Sequence, residues 1–125
     1  MAYISDATFD SGLTAAIASV SNLLICSADP GGVYATATAA KLGSEGTLST
    51  TGPVNATSGT GRQIAVNAIT SGTINGTGVA GFWAWTDGVD TVIADGPLSA
   101  TQAVTSGNTF TLDKVSVFIR DASAV

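Results

Sequence analysis

From residue 46 onward the chain is interrupted at short intervals by turn-forming clusters: Ser58-Gly59-Thr60-Gly61, Ser71-Gly72, Asp87-Gly88, Asp95-Gly96-Pro97 and Ser106-Gly107-Asn108. Each supplies a residue that tolerates positive φ or presets a turn. The runs between them are rich in Val, Ile and Thr, which suit a pleated, half-buried surface. This spacing predicts strands at 47–51, 63–69, 78–86, 91–94, 101–105 and 109–120, following one another as a meander. Thr-Ser-Gly recurs at 57–59, 70–72 and 105–107, which reads as reused turn chemistry because the flanks do not repeat. In the last run, Phe110 and Leu112 share one parity, and Val115, Val117 and Ile119 share the other. A β-bulge near Asp113-Lys114 would restore the register; the alternative is a strand buried on both faces, which Phe118 keeps open.

Upstream, the pattern differs. Phe9, Leu13, Ile17 and Val20 fall at spacings that line one face of a helix over about 5–20, with Ser5 or Asp6 as its cap. Gly12 weakens that helix, so it should depend on docking. Leu23 to Ser27 reads as a buried strand, stopped by Ala28-Asp29-Pro30-Gly31-Gly32, and 33–45 reads as an extended loop. The expected architecture is mainly β: a single domain over 1–125, an antiparallel β-sandwich or barrel with one N-terminal α-helix and strands from about residue 22.

Composition sets limits on chemistry. Ala, Gly, Ser and Thr make up 66 of the 125 residues, yet proline appears three times and only 10% of residues are charged, which is not the profile of a disordered chain. Histidine is absent, removing the commonest general base, the Ser-His and Cys-His nucleophile pairs and most zinc sites. The single Cys26 can form neither an internal disulfide nor a thiolate metal site, and an inert buried thiol is expected. A net charge of −5 gives no basic footprint for nucleic acid. The apolar run Leu23 to Cys26 is far too short for a membrane span, and the start at Met1 shows no basic leader, so no membrane association is expected. Asn55 and Asn75 head glycosylation-type triplets that read as ordinary turn residues.

Few residues suggest a site. Asp87, Asp90 and Asp95 cluster around two turns, but their spacing does not match a calcium loop and Asp-Gly is a hairpin signal. Glu45 is the only glutamate, and no acid pair has the spacing of a glycosidase. Gly59-Thr60-Gly61-Arg62 lacks the lysine and spacing of a phosphate loop. No catalytic residue, cofactor or metal is therefore expected. Trp83 and Trp85 share a strand face, where they can fill a core, form a subunit interface or stack sugar rings. Trp83, Trp85 and Phe118 are the candidate interface residues. So few charges weaken the usual defence of edge strands: either threonine and serine do that work, or much of the surface is covered by other copies or by another protein.

Four stretches carry a resemblance: Tyr3-Ile4-Ser5-Asp6-Ala7, Leu24-Ile25-Cys26-Ser27 before Asp29-Pro30-Gly31, Trp83-Ala84-Trp85-Thr86-Asp87-Gly88, and the run from Leu98 to Leu112 (LSATQAVTSGNTFTL). In these the chain resembles small virion proteins of tailed bacteriophages found among head genes. The resemblance implies a β-rich capsid decoration (cement) protein, made in the host bacterial cytoplasm and bound to the exterior of the phage head. Its expected partners are itself, as a homotrimer, and the shell of the major capsid protein. The neighbouring alternative is a tail or head-fibre binding module that takes carbohydrate through Trp83 and Trp85. No catalytic or metal residues come with the resemblance.

Overall fold

A computed structural model describes residues 5–57 and 61–119. The helical spacing of the N-terminal segment is realised as α1 (Asp6–Ser19). Ser5 is its N-cap in extended geometry, and its Oγ accepts the Thr8 N–H at 3.3 Å, satisfying one of the donors a helix start leaves free. Phe9 and Leu13 are buried, and Ile17 and Val20 pack on the same core as Leu13. The docking that Gly12 made necessary is thus supplied by one apolar stripe.

The remaining elements are β1 (Asn22–Cys26), α2 (Tyr34–Ala39), β2 (Lys41–Glu45), β3 (Thr50–Asn55), β4 (Arg62–Val66), β5 (Ile69–Ile74), β6 (Gly78–Thr86), β7 (Val92–Val104), β8 (Thr109–Leu112) and β9 (Val115–Ile119). They form two antiparallel sheets, one of six strands in the order β7-β6-β1-β2-β5-β8 and one of three in the order β3-β4-β9. The packed sheets and the N-terminal helix make a β-sandwich or half-barrel, as the turn spacing implied. The main core joins Leu13 of α1, Leu23, Ile25, Leu42, Ile69, Ala80 and Trp85 of the large sheet, and Ile64 and Val66 of the small one. β1 is buried on both faces. Its even-numbered side, Leu24 and Cys26, meets Ala37 of α2 and Ala84 of β6 in a second cluster.

Several expectations are corrected. Residues 33–45 are not an extended loop but α2 and β2, because Ala37, at 0% exposure, lets a short helix approach the sheet closely. The strands do not form a meander: β1 pairs with β6 and β2, and the chain crosses between sheets after β2, after β4 and after β8. The first two crossings are tied together at Asn67, whose N–H donates to the Ser49 carbonyl and whose Oδ1 accepts from the Thr51 hydroxyl. Ser71-Gly72 lies inside β5, and Asp95-Gly96-Pro97 lies inside β7, which merges the strands expected at 91–94 and 101–105. The parity break near Asp113-Lys114 is neither a bulge nor a doubly buried strand. The chain turns a corner there, leaving the edge of the large sheet as β8 and entering the small sheet as β9. Both sides of the break therefore face one core, with Phe110, Leu112, Val115, Val117 and Ile119 all packed against it. Residues 58–60 of the turn expected at 58–61, and Arg120 at the end of the strand expected at 109–120, lie outside the described residues.

Candidate functional site

The two tryptophans point the same way from β6, as alternation requires, with ring centroids 5.4 Å apart and planes tilted by 44°. They are not equivalent. Trp85 is 0% exposed and belongs to the core, so it can neither stack a sugar nor meet a partner, and its place among interface residues is corrected. Its Nε1 is buried with no hydrogen-bond partner among the described residues. Trp83 is half-buried and lies across Gly96 of β7: a Cβ at Gly96 would stand 3.0 Å from the indole. Phe118 is half-buried on β9, opposite Gln63 of β4, away from the tryptophans' core-facing side. The three residues are thus not brought into one patch.

The acidic residues also separate. Asp87 Oδ1 accepts the backbone N–H groups of Val89, Asp90 and Thr91 at 2.9–3.1 Å, which holds its carboxyl below the usual carboxylate range. Asp95 instead accepts the Gly32 N–H at 2.7 Å. These carboxylates organise loops, and among the described residues no group of three or more His, Cys, Asp or Glu side chains could hold a metal ion. Burial, with a smaller contribution from Asp95, pushes the Cys26 thiol up to about 11, so it is a poor nucleophile at neutral pH. Arg62 forms a bidentate pair with Asp10 and donates to Asn55 Oδ1, fastening α1 to β4. The Arg62 guanidinium is therefore engaged in holding the fold together. No helix among the described residues is long and apolar enough to cross a membrane.

One open feature of the surface was not legible in the sequence. β7 and β8 are joined by the tight turn 105–108, closed by the Asn108 N–H on the Thr105 carbonyl, yet they do not pair with each other. They are the two opposite edges of the six-stranded sheet, curled until they face one another. A cavity of about 320 Å³ near the turn is lined from both sides, by Gln102, Ala103 and Val104 of β7 and by Thr109, Phe110 and Thr111 of β8. Further along, Leu98 and Ser99 face Leu112 and Asp113 across a second hollow of about 280 Å³. A third, of about 380 Å³, reaches Trp83 and the β8–β9 corner. In β7 the ladder to β6 jumps from Gln102↔Ala80 to Pro97↔Phe82, so residues 98–101 bulge opposite Gly81 alone and form one wall of this seam. A four-residue hairpin connection ordinarily predicts pairing, and only the register of the whole sheet denies it.

In comparisons with known proteins, no family model matches the chain, and no similar curated protein or solved structure was found.

Proposed function

We propose that the protein is a structural subunit of a tailed-bacteriophage head, a homotrimer that decorates the outside of the assembled shell where capsomers meet. The observation that carries this reading is the chemistry of the sheet edges. Among the described residues the sheet edges are β3, β9, β7 and β8, and of these only β7 carries a charged side chain, Asp95. Proline interrupts β3 and β7, at Pro53 and Pro97, while β8 and β9 have neither proline nor charge. Sheet edges so poor in charge and proline join other chains unless something covers them. Closed symmetric association covers the same patch on every copy, and a subunit seated on a shell covers more. Simultaneous attachment to several coat subunits multiplies weak contacts into firm binding. The function of such a clamp is mechanical: it resists internal genome pressure. The resemblance to head proteins and the scarcity of charge support the same reading.

The test has two parts. The purified protein should scatter light as a trimer and co-purify with heads in stoichiometric amount. Heads depleted of it should release their genome at lower temperature, and adding it back should restore the original threshold. A stable monomer together with unchanged heat resistance of depleted heads overturns the proposal. The carbohydrate-binding alternative has lost its paired platform, because Trp85 is buried and only Trp83 retains exposed surface.

A further inference from the structure

We infer that the seam between β7 and β8 is an acceptor for one extended, uncharged segment of a partner protein, which enters as an additional strand and joins the two edges of the large sheet. The inference stands on the seam itself and does not depend on the capsid reading. Neighbouring strands lie about 4.8 Å apart, so two strands that flank a third stand about 9–10 Å apart. The Cα atoms of β7 and β8 are more than 8 Å apart along nearly all of their length, although the turn at 105–108 starts them side by side. The gap is wider than a pairing distance, and its hollows are lined from both edges. Each edge strand offers the row of backbone donors and acceptors that an open ladder leaves unused.

The lining specifies what enters. Leu98, Val104, Phe110 and Leu112 pack against the core, whereas Ala103, Thr109 and Thr111 are exposed. A strand in the seam would continue this alternation, with apolar side chains inward at every second position and small polar ones outward. Charged residues occur only at the corner, Asp113 and Lys114, so the rest of the groove favours an uncharged segment. A folded second copy is the wrong occupant. Every described strand of this chain is already bonded to a neighbour, and feeding one into another copy would break that ladder.

The probe is a synthetic peptide alternating threonine and valine over about seven residues between terminal lysines, with a control carrying proline at its central position. Binding is read on the full chain by fluorescence anisotropy, and its place by amide hydrogen exchange. The alternating peptide should bind at least ten-fold more tightly than the proline control and should slow exchange at 102–104 and 109–111. Ala103→Lys combined with Thr111→Lys changes two exposed side chains, so the fold should persist with an unchanged melting temperature while peptide binding falls at least ten-fold. Failure of the alternating peptide to bind at millimolar concentration overturns the inference, as does protection at β3 or β9 in place of the seam. Protection of 109–111 on self-association alone would give the seam to a second copy and would also overturn it.

Discussion

The ring of Phe110 occupies the space a side chain at Gly72 would need: a Cβ built there would fall 2.2 Å from the ring's edge atoms. The two residues are cross-strand partners on β5 and β8, so the glycine is a seat for the aromatic of the neighbouring strand. Gly96 does the same for Trp83 between β7 and β6. Gly72→Ala should therefore lower stability by about 1–3 kcal/mol, the usual cost of forcing extra volume into a packed site. In thermal or urea unfolding, Phe110→Ala in the same chain should cost less than it does alone, because the ring it removes is the obstacle. Additive costs would show that Phe110 does not rest on Gly72.

Leu13 is 3% exposed on the docked face of α1. Leu13→Asp places an unpaired carboxylate in the core and should cost about 3–5 kcal/mol or prevent folding. Leu13→Ala, which leaves only a cavity, should cost about 2–5 kcal/mol and remain measurable by urea denaturation. A neutral result for both would mean that the helix face is free of the core.

Arg62 donates Nε to Asp10 Oδ1 at 2.8 Å and Nη2 to Asp10 Oδ2 at 3.1 Å. That fork is what lysine cannot reproduce. Arg62→Lys should lower the urea midpoint slightly, and a double-mutant cycle with Asp10→Asn should show a small favourable coupling that shrinks as salt is added. The pair is partly exposed, with side-chain accessibilities of 17% and 34%, which is why the expected coupling is modest.

Cys26 supplies a pH dependence with a definite sign. Its thiol is raised to about 11 in the folded chain, from 9.0 as its ordinary value. The unfolded chain loses the proton first, so the stability held by the neutral buried thiol is complete below pH 9 and declines as pH rises toward 11. The decline is at most about 2–3 kcal/mol over those two units. Melting curves between pH 8 and about 11, compared with Cys26→Ala, isolate it: the variant should lack this part of the alkaline slope. Rapid reaction of the native thiol with a disulfide reagent at pH 7 would contradict its burial.

Periodicity alone determined that a capped, docked helix lies at about 5–20 and that the chain is mainly β, though not that 34–39 is a second helix, because the spacing of Phe9, Leu13, Ile17 and Val20 and the alternation in 78–86 are local properties. Chemistry by elimination was equally local: a chain without histidine excludes whole classes of site wherever it folds. Tertiary structure decided which glycines turn the chain and which lie under an aromatic. Gly88 and Gly107 have positive φ in turns, whereas Gly72 and Gly96 are strand residues whose neighbours across the ladder are Phe110 and Trp83. It also decided that β7 and β8 diverge after a tight turn, that Trp85 is core while Trp83 reaches the surface, and that the parity change at 113–114 is a passage between sheets. The physical reason is the same in each case. A side chain's exposure and a strand's partner depend on register with residues far along the chain, and a sequence read in short windows contains the propensity of each strand but not the identity of what lies beside it.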